Sequence, residues 1–176
     1  KLPGPKYDGT VSVEKALKER RSVRSYKDAP LSMEEVSQVL WAAQGITEPS
    51  RGLRTAPSAR AQYFLTVYLL AGNVTGLKPA MYRYEPARHS LAVVDSRDMK
   101  SVVYKAVGQS PIMKAPIALV ITGAQDRATN TNLMYLEAGH AGVQVEEVHL
   151  AARLEDGDPA LGRVGRHADV ATELRQ

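Results

Sequence analysis

Apolar residues recur three or four positions apart in one well-defined segment, between residues 31 and 45. Val36, Val39, Leu40 and Ala43 keep the spacing of one helix face. Ser32-Met33-Glu34-Glu35 has the form of a capping box, and Leu31 precedes it as a hydrophobic staple toward Val36. The pattern predicts a helix that begins after Ser32 and ends near Gly45.

Two other segments are apolar almost throughout. Residues 63–70 and 116–122 are short enough for strands, and their continuous apolar character predicts strands that are buried on both faces. Residues 81–84 and 91–94 flank a turn at 85–90 and predict a hairpin.

Three further helices are predicted, and they differ in how clearly they are marked. Ser12 is a candidate N-cap for a short helix with Val13, Ala16 and Leu17 on its apolar face. A second helix is predicted around 98–108 and a long one around 130–153. The middle of the long helix contains small residues, which favour close approach of a neighbouring backbone: Ala138, Gly139, Ala141 and Gly142.

The remaining segments carry few periodic signals. Residues 1–11 are predicted to form an extended arm and residues 46–61 a loop, whereas 154–176 are polar and Gly-rich, without a clear last strand. Strands and helices are interspersed without repeats. The sequence therefore predicts a single domain over residues 1–176, of α/β or α+β class.

Composition narrows the classes of function. The 176 residues include no cysteine, which excludes disulfides, thiol catalysis and cysteine-ligated metal centres. No apolar run approaches the roughly 20 residues that span a bilayer. The N-terminal residues lack the apolar region of a signal peptide, so a cytoplasmic protein is expected.

A basic cluster at residues 20–24 is the strongest candidate for binding. In extended backbone, Arg20, Ser22 and Arg24 would share one face, and two guanidinium groups with a hydroxyl suit a phosphate. A solvated helix end explains the same residues if they are taken alone. A net charge of +4 adds little to either interpretation.

Other site patterns fail on geometry or context. Glu137-x-x-His140 and Glu146-x-x-His149 lie nine residues apart on one predicted helix, about 13.5 Å along it and on opposite faces. They cannot share a metal ion, and no metal site is predicted. Gly157 and Gly162 have the spacing of a phosphate-binding loop, but Arg163-Val164 follow where Lys and Ser or Thr are required.

Seven motifs, read in order over residues 12 to 152, resemble the nitroreductase family, and most closely its branch with the SagB-type dehydrogenases. They are Arg20-Arg21-Ser22-Val23-Arg24-Ser25-Tyr26, Leu31-Ser32-x-Glu34-Glu35, Leu40-Trp41-Ala42-Ala43-Gln44-Gly45-Ile46, Arg54-Thr55-Ala56-Pro57-Ser58-Ala59, Tyr82-Arg83-Tyr84, Gly108-Gln109 with Ala115-Pro116-Ile117, and Leu136-Glu137-Ala138-Gly139-His140-Ala141.

The resemblance implies an α+β fold in which helices flank a central mixed, mostly antiparallel sheet and two subunits interlock as a homodimer. It also implies FMN as cofactor, NAD(P)H as cosubstrate, and a nitroaromatic, quinone or similar conjugated small molecule as acceptor. The flavin carries the chemistry, so no catalytic side chain is expected. The implied cofactor-binding residues are Arg20, Arg21, Ser22, Arg24, Leu161 and Gly162, with Pro57, Ser58, Ala59 and Arg60 reaching from the partner subunit.

Within this resemblance, Arg24 is expected at the pyrimidine side of the flavin ring. Two departures accompany the match. Arg60 stands where the family usually has glycine, and is expected to narrow the space for acceptors above the ring. The final strand of the family pattern is not evident, so residues 154–176 are interpreted as divergent or truncated.

A function of another class stays open from the residues alone. Six arginines could form a surface for a nucleotide or nucleic acid: Arg20, Arg21, Arg24, Arg51, Arg54 and Arg60. With one Trp and one Phe in the chain, stacking of single-stranded bases is poorly supported. Nucleic acid and membrane are therefore not the expected partners.

Overall fold

Helices cover both faces of one five-stranded sheet in the computed structural model. The model describes residues 1–22, 24–124, 130–155 and 168–172, with the backbone alone described from residue 147 onward. The helices are α1 (Val13–Glu19), α2 (Met33–Gln44), α3 (Lys100–Val107), α4 (Pro111–Lys114) and α5 (Thr131–Glu155). The strands are β1 (Ile46–Glu48), β2 (Leu53–Arg54), β3 (Leu65–Ala71), β4 (Ala80–Glu85), β5 (Ser90–Asp95), β6 (Ile117–Gly123) and β7 (Ala168–Thr172).

The main sheet has the strand order β5-β4-β3-β6-β7. All its neighbours are antiparallel except β6 and β7, which pair in parallel. Leu69, at the centre of the sheet, lies opposite Tyr82 on one side and Leu119 on the other. The predicted α+β class with a mixed, mostly antiparallel sheet is confirmed.

The core has two parts, one on each face of the sheet. Helices α2 and α5 pack together over the larger part, in which Leu40, Leu69 and Leu119 are fully buried. On the other face Ile112 of α4 joins Leu70 and other apolar residues of the sheet in a smaller cluster. The apolar runs at 63–70 and 116–122 are explained by this double burial.

The structure confirms the N-cap residues that the sequence predicts for two helices. Ser32 accepts a hydrogen bond from the backbone of Glu35, while the Glu35 carboxylate accepts one from the backbone of Ser32. This is the capping box predicted for α2. Ser12 likewise accepts from the backbone of Lys15 at the start of α1.

Three expectations are corrected by the structure. The loop predicted at 46–61 contains the short antiparallel pair β1 and β2. A last strand, β7, is present although none was evident from the sequence, because an edge strand needs no continuous apolar run. The predicted apolar face of α1 is buried only at Ala16, whereas Val13 and Leu17 are exposed.

The N-terminal arm lies against α2 and the β4–β5 hairpin. Leu2 is buried in the main core, and its backbone N–H donates to the carbonyl of His89. Further along the arm, the side chain of Gln38 bonds both backbone groups of Lys6. No helix of the described residues is long and apolar enough to cross a membrane.

Candidate functional site

The basic cluster predicted to bind phosphate follows the end of α1. Arg20 caps this helix, and its guanidinium pairs with Glu146 of α5 at 3.1 Å, both side chains being partly exposed. Arg21 turns back to bond the carbonyls of Lys18 and Arg20. Ser22 and Arg24 are exposed, and no other described residue bonds their side chains. Of the cluster, these two side chains are the ones open to a ligand.

The second predicted segment, residues 57–60, is anchored from below by a buried carboxylate. The Ser58 hydroxyl donates to the Glu137 carboxylate at 2.6 Å and accepts from the backbone N–H of Tyr63 at 2.8 Å. Glu137 lies on α5 and is 1% exposed, and its second oxygen, Oε1, has no partner among the described residues. The Ser58 side chain therefore holds the loop in place, and Pro57 remains exposed.

The backbone after Ser58 is strained. Arg60, Ala61 and Tyr63 adopt φ values of 56°, 52° and 48°, in the left-handed region that favours glycine. The structure supplies a reason for the glycine that the family usually has at position 60, since the backbone there has a positive φ.

Helix α5 separates the two predicted halves of the site. Arg20 contacts it at Glu146 and Ser58 contacts it at Glu137, nine residues away. In an α-helix this spacing is about 13.5 Å along the axis and half a revolution around it. Accordingly, Glu137 is buried and Glu146 is exposed. Within one chain, Arg20 and Ser58 therefore contact opposite faces of α5.

The exposed face of α5 includes apolar side chains, whereas the two alanines in the middle of the helix face inward. Ala138 and Ala141 face the core of their own chain, because α5 packs on α2 and the sheet. Gly139 is exposed, with open space where a side chain would begin. Among the described side chains of this helix, the exposed apolar ones are Tyr135, Leu136 and Val143, which are 36%, 59% and 52% exposed.

A cleft of ≈ 480 Å³ opens beside the strained loop. Sequence reasoning named Arg54 as a binding residue only within the alternative nucleotide-binding surface and did not predict this cleft. Arg54 is half-buried there, with its guanidinium 4.5 Å from the centre of the Tyr63 ring. One guanidinium nitrogen, Nη1, donates to the Gln44 side-chain oxygen at 2.8 Å. Burial lowers the pKa of Arg54. The signal was present, since Gln44 and Arg54 both lie within motifs of the family resemblance.

The remaining predictions fall on other parts of the molecule. In Glu137-x-x-His140 the carboxylate is buried and the imidazole exposed, and the described residues contain no cluster suited to a metal ion. Leu161 and Gly162 lie outside the described residues. The six arginines of the alternative function do not share one environment, because Arg54 is half-buried and Arg20 is paired with Glu146.

Comparison of the sequence with known proteins gives two consistent matches. The model of the "Nitroreductase family" matches residues 17–155. The chain is also 35% identical over 169 residues to a protein of Methanocaldococcus jannaschii named "Putative nitroreductase MJ1384". That alignment covers 94% of this chain and 83% of the relative.

Solved structures with the same fold include two proteins described as putative nitroreductases. The one from Ralstonia eutropha JMP134 has a TM-score of 0.74 and 27% identity, over 86% of this chain and 70% of its own. The one from Anabaena variabilis has a TM-score of 0.67 and 19% identity, over 80% of this chain and 31% of its own. At the lower identity, the likeness concerns the fold alone.

Proposed function

Since the chain belongs to the nitroreductase family and is an oxidoreductase of that family, we propose that it works with FMN as its cofactor. NAD(P)H is the proposed electron donor, and a nitroaromatic, quinone or similar conjugated molecule the acceptor. Bound FMN would supply the hydride chemistry, and the side chains would bind and orient it. A nucleotide- or nucleic-acid-binding function is not favoured by the family.

The observation that supports this proposal most is the exposure of Ser22 and Arg24 at the end of α1. A phosphate needs charged and hydroxyl donors that no other group already occupies. Arg24 and Ser22 meet this condition, and Arg20 would meet it after exchanging Glu146 for the phosphate. The pair is partly exposed on both sides, so breaking it costs little, about 1 kcal/mol or less. These residues fit an anionic cofactor.

The 57–60 segment fits the edge of a planar ring through its backbone rather than its side chains. The Ser58 hydroxyl is already committed to Glu137 and Tyr63. The backbone N–H groups of Ser58 and Ala59, in contrast, donate to none of the described residues. They are donors that a ring carbonyl or nitrogen would accept from.

A site that uses both segments requires a second subunit. Because α5 separates Arg20 from Ser58 within one chain, we assign the 57–60 segment of each site to the partner subunit. The exposed apolar side chains of α1 and α5 support a homodimer, since the two helices contact each other and both present such residues. They include Val13, Leu17, Leu136 and Val143.

In this arrangement the side chains at the end of α1 would bind the cofactor and set the charge around it. Arg20 and Ser22 would hold the phosphate and the adjoining chain of FMN. Arg24 would place a positive charge at the pyrimidine side of the ring, where reduction adds negative charge. The cytoplasmic location expected from the sequence stays a prediction.

The proposal is tested by titrating the purified protein with FMN and following the quenching of flavin fluorescence. Arg20→Ala and Arg24→Ala should each weaken binding about tenfold or more, since each removes a charged hydrogen-bond partner. Arg51→Ala, an exposed arginine on the β1–β2 turn, is the matched control and should bind as the wild type does. Equal affinity in all four proteins would contradict the phosphate site.

A further inference from the structure

The cleft beside Tyr63 carries an excess of positive charge. Its lining includes three arginines but one carboxylate, that of Glu85. This carboxylate is already engaged, because one oxygen accepts from Arg83 at 3.2 Å and the other from the Ser90 hydroxyl. The lining residues that matter for a ligand are Gln44, Arg54, Tyr63, Leu65, Val67 and Arg88.

Arg54 is a half-buried charge that has no contact partner of opposite sign; the buried carboxylate of Glu137 acts on it only at a distance, and burial still lowers its pKa. Its guanidinium is half-buried and has one hydrogen bond, to the neutral side chain of Gln44, and one contact with the Tyr63 ring. No carboxylate of the described residues forms an ion pair with it. A buried charge is costly without a partner of opposite sign, and a guanidinium presents its donors as a planar fork.

Acceptors are scarce around Arg54. The Gln44 side-chain oxygen is used by Arg54, and the amide nitrogen of the same side chain is buried without a partner. Arg88, which also lines the cleft, is exposed and has no bonded partner among the described residues. The local structure therefore has more donors than acceptors, and an anion would correct both the charge and the hydrogen bonding.

We propose that this cleft binds a small molecule that carries a carboxylate group on an apolar body. The carboxylate would lie against Arg54, and the body against the buried side chains of Leu65 and Val67. A carboxylate on an apolar body suits this cleft better than inorganic phosphate does, because Leu65 and Val67 line it beside Arg54. The volume of ≈ 480 Å³ is within the range of small-molecule sites. The proposal does not depend on a flavin.

Calorimetric titration with cyclohexanecarboxylate tests the proposal, with cyclohexanecarboxamide as the uncharged equivalent and inorganic phosphate as the competing anion. The carboxylate should bind and the amide should bind at least about tenfold more weakly, for want of a charge-assisted hydrogen bond. Equal affinity for the amide, or tighter binding of phosphate, would overturn the assignment.

Substitutions of single arginines show where in the protein the carboxylate binds. Arg54→Gln should weaken the carboxylate about tenfold or more, whereas Arg51→Gln, outside the cleft, should leave it unchanged. Arg88→Gln removes an exposed charge without bonded partners, so it keeps the fold and should weaken binding a few-fold, mainly at low salt. Binding that survives both Arg54→Gln and Arg88→Gln but is lost in Arg24→Ala would place the carboxylate at the proposed flavin site and refute this one.

Discussion

The hydroxyl of Ser58 lies 2.6 Å from the carboxylate of Glu137, and this hydrogen bond joins the loop of the candidate site to the buried side of α5. The same hydroxyl accepts from the backbone of Tyr63, so one side chain fixes both ends of the strained turn. This arrangement buries the Glu137 carboxylate, which is 1% exposed, and leaves its second oxygen without a partner among the described residues.

Ser58→Ala is expected to lower the free energy of unfolding by about 1–3 kcal/mol, because it leaves the buried Glu137 without its donor. The measurement is denaturant unfolding. Ser50→Ala is the matched control, since Ser50 also donates to a carboxylate, that of Glu48, but at an exposed turn. It should change stability by less than about 0.5 kcal/mol. Similar losses in the two variants would show that burial of Glu137 is not the source of the effect.

Arg60→Gly is expected to stabilise the protein by about 1 kcal/mol, because glycine adopts a φ of 56° without the steric cost that arginine meets. Arg51→Gly replaces an exposed arginine outside the positive-φ positions and should not stabilise. A thermal melt of each variant checks this. A lower melting temperature for Arg60→Gly would mean that the arginine side chain contributes more than its backbone costs.

The same substitution tests the effect of Arg60 on acceptors. If Arg60 narrows the space above the ring, Arg60→Gly raises turnover of a bulky nitroarene more than that of a small quinone, at equal flavin content. Steady-state kinetics at two salt concentrations measure this. A fall in activity with both acceptors, strongest at low salt, would instead show that Arg60 attracts the substrate.

His89 makes the N-terminal arm sensitive to pH. Its Nε2 lies 2.9 Å from the Pro3 carbonyl, which only accepts, so this nitrogen carries the proton and Nδ1 accepts from the Tyr84 hydroxyl. Burial lowers the pKa of His89, with a further decrease from Lys1, although the bond to Pro3 opposes them. The unfolded chain then binds a proton that the folded chain does not, so stability should fall as pH drops below about 6.5.

Unfolding experiments at about pH 7.5 and about pH 5.5 measure this loss. His89→Asn, which tolerates the φ of 44° at this position, should show a smaller dependence on pH. His140→Asn, at an exposed position of α5, should keep the wild-type dependence. A wild-type dependence in His89→Asn would assign the effect to another group.

A shared site predicts complementation between defective subunits. Arg24→Ala and Pro57→Glu should each abolish or strongly weaken flavin binding as homodimers. After mixing and exchange of subunits, each mixed dimer should regain one of its two sites, because the intact Arg24 and the intact 57–60 segment then meet. Flavin content after exchange reports this. No recovery of flavin binding would show that the site lies within one chain. The same conclusion would follow if light scattering showed that the flavin-bound wild-type protein is a monomer.

The sequence predicted the elements whose signals are local, and it missed relationships between distant residues. The capping box at Ser32 and the apolar runs of β3 and β6 depend on neighbours in the chain, and the structure confirms them. The Ser58–Glu137 bond joins residues 79 positions apart, and Arg54 gains its burial from the surrounding fold. Strand β7 lies at the sheet edge, where pairing with β6 rather than an apolar pattern defines it.

The central claim, an FMN-dependent oxidoreductase, is tested most directly by anaerobic visible absorption of the protein reconstituted with FMN. We expect a flavin band that elutes with the protein, loses its absorbance when NADH or NADPH is added, and recovers when a quinone follows. Arg24→Ala, reconstituted in parallel, should retain less of the band. A protein that retains no flavin, or retains one that neither NADH nor NADPH bleaches, would contradict the account.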